Sequence, residues 1–145
     1  MRKVRRSEGR GAVAGDLDRQ RKRDLRHFRD LDVYKRAFAA AMEIFELTKS
    51  LPSEEKYSMV DQVRRASRSV CTNIAEAWRK RRHVSVFKNK MTDAAQEASE
   101  TQCWLEFAQA CQYISAAVFQ RMDAEYENII GMLASMEGKA DKFCY

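Results

Sequence analysis

Proline is almost missing from these 145 residues, and glycine is scarce: there is one Pro, and three of the five Gly fall within the first fifteen positions. A β-rich fold needs turn-forming residues throughout its body, and this body has almost none, so the composition favours helices. No run of about 18 apolar residues occurs, which argues against any membrane-spanning helix. The opening Met1-Arg2-Lys3-Val4-Arg5-Arg6 is basic, but no apolar stretch follows, so it does not read as a secretory signal. The four cysteines, Cys71, Cys103, Cys111 and Cys144, contain no CxxC pair, and neither histidine, His27 or His83, lies near one of them. A zinc site needs grouped ligands. The expectation is reduced, mostly buried thiols in a cytoplasmic protein with no metal and no cofactor.

What remains is enough for one domain with a real core. Its charge is unevenly spread. Residues 1–29 carry a net +7, residues 30–56 carry −2, residues 57–90 carry +7 and residues 91–145 carry −6. The first basic stretch has little apolar content and no sustained period. It reads as an N-terminal arm over residues 1–28, either a solvated tail or an RNA-contacting extension. Residues 29–145 are the folded domain.

Four helical segments follow. In the first, Asp30 to Ser50, the residues Tyr34, Phe38, Ala41, Phe45 and Thr48 recur at spacings of four and three, which is one face of a helix, and Ala37, Ile44 and Leu51 widen the stripe. Pro52 ends it. The second is expected to start at Ser53 as N-cap, with Glu54 and Glu55 in its first turn, and to end within 79–84. Its stripe is Met59, Val63, Ala66, Val70, Ile74 and Ala77. The third begins near Ser85 with a sustained heptad of Phe87, Met91, Ala94, Ala98, Thr101, Leu105 and Ala108. The fourth starts at the N-cap Ser115, flanked by Ile114 and Phe119 as a hydrophobic staple. Its stripe is Val118, Met122, Tyr126, Ile129, Leu133 and Met136, and Gly138 is expected to stop it as a C′ residue. Short links near Pro52, Arg82 and Ser115 force antiparallel neighbours. The expected fold is all-α, an up-down-up-down four-helix bundle.

Within helix two, the run Gln62-Val63-Arg64-Arg65-Ala66-Ser67-Arg68-Ser69-Val70-Cys71-Thr72-Asn73-Ile74-Ala75-Glu76 resembles the signature of the 23S rRNA-intervening-sequence protein family. Glu100-Thr101, Trp104-Leu105, Ile129-Ile130-Gly131-Met132-Leu133 and Lys142-Phe143 extend the match to about residues 28–143. These are small bacterial four-helix bundle proteins, related to the accessory variability protein of diversity-generating retroelements. Ala77 stands where the family usually has Gly, and Gln96-Glu97 where Gly-Ser is frequent. The arm has no counterpart. The resemblance implies a ring-like homo-oligomer, typically a pentamer, and association with RNA or other nucleic acid. For a member of the retroelement type, a reverse transcriptase is the implied protein partner.

The residues themselves offer three constellations. Arg64, Arg65, Arg68 and Arg79 lie on the face of helix two opposite its apolar stripe, and Lys80, Arg81, Arg82, Lys88 and Lys90 extend it. Grouped cations of this kind form a phosphate-binding footprint. The alternatives are a solvated face, or pairing with Asp93, Glu97 and Glu100 on a neighbouring subunit. Gln62, Ser69, Asn73 and Glu76 border the stripe and read as a polar network that fixes helix register rather than as a catalytic set, since no general base stands near them. Trp104, Phe107 and Cys111 form a second apolar stripe on helix three and point to an oligomer interface, the alternative being deep burial within one bundle. No nucleophile–base set, carboxylate cluster or phosphate loop occurs, so no catalytic residue is assigned. The leading expectation is a non-enzymatic, oligomeric RNA-binding accessory protein. The alternative is a structural protein-interaction scaffold that binds no nucleic acid.

Overall fold

The structure, a computed structural model, describes residues 25–145 together with Gly15. Apart from these, the expected arm lies outside the described residues. Four long helices carry the fold: α1 (Asp32–Thr48), α2 (Met59–Arg79), α3 (Val84–Ala110) and α4 (Ala116–Gly138), followed by the single turn α5 (Ala140–Phe143). There is no strand among the described residues. Each helix packs on the next, α4 closes back on α1, and no diagonal pair of long helices comes into backbone contact. This is the antiparallel four-helix bundle.

The stripes of α2, α3 and α4 face inward as their periods require. Val63, Val70, Ile74, Phe87, Met91, Met122, Tyr126, Ile129 and Leu133 are essentially inaccessible. Each large apolar side chain buried this way contributes about 1.5–3 kcal/mol. The buried Ser and Thr hydroxyls do not break the core, because each bonds a carbonyl of its own helix: Thr48 to Ile44 at 2.8 Å, Ser67 to Arg64 at 3.0 Å and Thr101 to Glu97 at 2.9 Å.

Helix α1 corrects the expected stripe in part. Ala37, Ala41, Ile44 and Thr48 are buried as expected and are joined by Val33 and Ala40, but the aromatics of the stripe are not on the buried face. Phe38 is 52% exposed, and Tyr34 and Phe45 are only half-buried. The alanine-rich face wins because small side chains let α1 approach its neighbours closely. The aromatics, one flank round, lie over the seam with α2.

Helix α2 also starts later than expected. Ser53–Glu55 forms a separate 3₁₀ turn, and the α-helix begins at Met59. Glu55 replaces Ser53 as the capping group: its carboxylate accepts the Met59 N–H at 3.3 Å and the Tyr113 hydroxyl at 3.3 Å. At the end of α4, Gly138 is the last helical residue and takes no positive φ, so it is not the C′ stop. Ser115 caps α4 as expected, its Oγ accepting from Val118 N at 3.1 Å.

Before α1, Phe28–Asp30 makes a 3₁₀ turn whose ends are tied reciprocally. The His27 ring accepts from Arg29 N, and Asp30 accepts the backbone N–H of Arg26 and of His27. Those two bonds hold the Asp30 carboxyl below its ordinary range. Leu25 and Phe28 pack against the core.

Candidate nucleic-acid interface

The nine cations proposed from the sequence divide into two groups. Arg64 is an interhelical strut: its Nε donates to Thr48 Oγ1 at 2.8 Å, its Nη2 to the Phe45 carbonyl at 3.5 Å, and its guanidinium lies 4.8 Å from the Phe45 ring centre. Arg65 is exposed and pairs with Asp61 at 3.5 Å. Arg81 is half-buried over the Trp78 ring at 3.5 Å, with its Nε on the Trp78 carbonyl at 2.8 Å and Tyr145 on its other side at 5.4 Å. Arg81 is therefore held by its own chain, rather than standing free on the cationic face that the sequence pattern gave it. Lys90 binds Glu76 at 2.7 Å, and that bond raises its pKa.

Arg68, Arg79, Lys80, Arg82 and Lys88 form the second group. All five are exposed, and none has an acidic partner among the described residues. Arg79 is the one with a recorded side-chain contact, Nη2 at 3.4 Å from His27 Nε2. Four of the five sit on the last turn of α2, the link and the first turns of α3, while Arg68 continues the row along α2.

The antiparallel topology concentrates this charge at one end of the bundle. Residues 72–93 hold six bases against two acids. Residues 94–129, which run to the opposite end and back, hold six acids and one base. On that acidic side, partial burial raises the Glu97 pKa, with Glu100 and Asp93 adding to the effect. The bundle is thus electrically polar along its axis, and an anion meets its attractive pole at the α2–α3 turn.

The polar set does not close into one network among the described residues. Asn73 Nδ2 donates to the Ser69 carbonyl at 2.9 Å and to Ser69 Oγ at 3.2 Å, all within α2. Glu76 belongs instead with Lys90 on α3, and Gln62 makes no side-chain hydrogen bond there. No hydrogen bond joins a Ser, Thr or Cys side chain to a histidine, and no group of three or more His, Cys, Asp or Glu is placed to hold a metal ion, again among the described residues. No described helix is long and apolar enough to cross a membrane.

On α3, Phe107 is 58% exposed, Cys103 and Cys111 are exposed one turn to either side of it, and Trp104 is half-buried against the core. The Trp104 and Phe107 rings lie 5.9 Å apart.

The sequence profile of the 23S rRNA-intervening sequence proteins matches residues 29–135. The chain belongs to this family. A crystal structure of a protein of unknown function from the S23 ribosomal protein family of Bacteroides thetaiotaomicron VPI-5482 superposes with a TM-score of 0.67 at 30% identity, covering 73% of this chain and 95% of that one. No curated protein matches the chain.

All nine cations, the polar set and the α3 stripe fall inside the segment matched to the 23S rRNA-intervening sequence proteins. His27, Phe28 and α5 fall outside it. The sequence pattern missed the exposure of Phe38 and the half-burial of Tyr34 and Phe45, which it assigned to the core. The signal that would have separated them is the Val33-Ala37-Ala40-Ile44 spacing, which centres the buried face away from the aromatics.

Proposed function

We propose that this intervening-sequence family member is a non-enzymatic, oligomeric accessory protein that holds RNA on the basic pole of its bundle, acting in the cytoplasm. The observation that carries the reading is the group of five exposed cations without acidic partners among the described residues: Arg79, Lys80, Arg82 and Lys88, gathered around the α2–α3 turn, and Arg68, further back along α2. Each phosphate they neutralise releases counterions, so binding is sequence-tolerant and steeply salt-dependent. Assembly into a ring, a pentamer on the family resemblance, repeats the pole around an axis and converts weak single contacts into useful avidity. A chain of the retroelement type would use the same ring to present RNA to a reverse transcriptase.

The test reverses the charge at two of these exposed sites. Arg68→Glu with Arg82→Glu should weaken retention of RNA and flatten the log–log salt slope, which is about −0.7 to −0.9 per phosphate neutralised. Neither residue packs in the core, so the helical circular dichroism should not change. The scaffold alternative rests on the exposed Phe107 and its flanking Cys103 and Cys111. It expects no RNA binding by the wild type, and loss of oligomer mass in the charge-reversed variant.

A further inference from the structure

A line of aromatic rings runs along the seam between α1 and α2. The ring centres of His27 and Phe28 are 4.2 Å apart, those of Phe28 and Tyr34 5.0 Å, and those of Tyr34 and Phe38 6.1 Å. Phe45, seven residues beyond Phe38, continues the same side of α1. Cations flank both ends of the line. The Arg29 guanidinium is 4.7 Å from the Phe28 ring centre, and Arg79 reaches His27 at 3.4 Å. Arg64 and Lys49 converge on Phe45 at 4.8 and 4.6 Å. Arg68 stands one turn from Arg64 on the same flank of α2. At the basic end the line opens into a groove of about 360 Å³ between Phe28 and the α2 residues Ala75, Arg79 and Lys80.

Closing the seam explains Tyr34, which packs against the core, but not Phe38, which is 52% exposed. The nearby acids are already engaged: Glu46 with Lys49 at 3.1 Å, Glu76 with Lys90, and Asp30 with backbone N–H groups. A two-fold contact through this seam would set one cation-flanked face against another, because such a contact uses the same patch on both copies. A polyanion meets no such repulsion.

We propose that the seam is a stacking track for single-stranded RNA, with bases laid on Phe38 and the rings beside it and phosphates running along Arg64, Arg68 and Arg79. The proposal rests on the basic-pole reading above and narrows it to unpaired strands. Neighbouring helix axes are about 8–10 Å apart. A strand lying between α1 and α2 therefore has rings on one side and guanidinium groups on the other. Only an unpaired strand offers its base faces. A duplex keeps them stacked inside, where the aromatics have no purchase.

The test compares a fluorescein-labelled 20-nucleotide oligoadenylate with a 20-base-pair RNA duplex by anisotropy across a potassium chloride series, with light scattering on the same samples. Phe38→Ala is expected to weaken the oligoadenylate about tenfold while leaving duplex binding and both salt slopes unchanged. Phe38→Trp is expected to retain the wild-type affinity. Helical circular dichroism identifies any variant that has lost its fold, and the Phe38→Trp arm then carries the comparison through a tighter or unchanged oligoadenylate affinity. Unchanged oligoadenylate affinity in Phe38→Ala overturns the stacking track, as does an equal loss on the duplex, or a fall in particle mass that assigns Phe38 to a subunit contact. If the wild type binds neither probe, the basic-pole reading itself fails. If Arg68→Glu with Arg82→Glu weakens binding and Phe38→Ala does not, that reading stands and only the track is lost.

Discussion

Cys71 and Tyr126 are the two buried side chains whose protonation the fold controls most strongly. Burial pushes the Cys71 thiol up to about 11 from an ordinary value of 9.0. Tyr126 is also raised, by burial first and by Cys71 next, and its hydroxyl has no hydrogen-bond partner among the described residues. Both groups are neutral when protonated, so a raised folded-state pKa means that the native state holds the proton more tightly than the unfolded chain. The stability Cys71 contributes is complete below pH 9 and is lost as pH rises through 11, while that of Tyr126 is complete below pH 10 and persists to higher pH. Urea unfolding should therefore show a falling midpoint across that window, and Cys71→Ala should flatten the fall while lowering stability at neutral pH through the lost packing. Iodoacetamide at pH 8 should spare Cys71 in the native protein and modify it after denaturation. Native labelling of Cys71 as fast as in the denatured chain would show that the core is not closed there.

At the scale of the element, the inward faces of helices α2, α3 and α4 were legible in the sequence, because on each the longest regular apolar stripe is the one that is buried, Val118 at the start of α4 excepted. Helix α1 was legible in part. Its expected stripe mixed buried small residues with aromatics one flank round, and period alone does not separate the two. The choice was made by close approach between helices, a tertiary term that a single-helix period does not contain. The start of α2 was misplaced for a similar reason, since Glu55 caps it in concert with Tyr113, 58 residues away. In the candidate site, the run of cations was legible as a group. Which of them are free was not, because the partners Thr48, Phe45, Trp78 and Tyr145 lie on other turns and helices.

The C-terminus of α3 shows how such local choices can be tested. Tyr113 N bonds the Ala108 carbonyl at 2.8 Å and Gln112 N bonds that of Gln109 at 2.8 Å, which is the Schellman arrangement. Its C′ position requires a left-handed residue, and Gln112 supplies it at φ 64°. A β-carbon in that conformation costs about 1 kcal/mol relative to glycine. Gln112→Gly should recover an amount of that order in denaturant unfolding. A lower stability for the glycine variant would mean that the Gln112 side chain contributes more than its backbone costs.

For the whole molecule, the bundle is closed on its inside but unevenly finished outside. Phe107 stands 58% exposed on α3, with Cys103 and Cys111 at four residues to either side, so the three form one line along the helix. On the assembly proposed above, this line is the contact surface between subunits. Trp104 belongs to the same face but also packs against its own core, so a charge there threatens the monomer fold as well as any contact. Phe107→Glu is the cleaner probe. The wild type is expected to scatter light as an oligomer at micromolar concentration, with Cys103 and Cys111 slow to react with maleimide. Phe107→Glu is expected to release subunits with unchanged helical circular dichroism and to speed labelling of both cysteines together. Because a monomer presents one basic pole instead of several, RNA affinity should fall in the same variant although no cation has been altered. A monomeric wild type would remove both the interface and the avidity argument. An oligomer that survives Phe107→Glu with its cysteines still protected would instead move the contact to another face of the bundle.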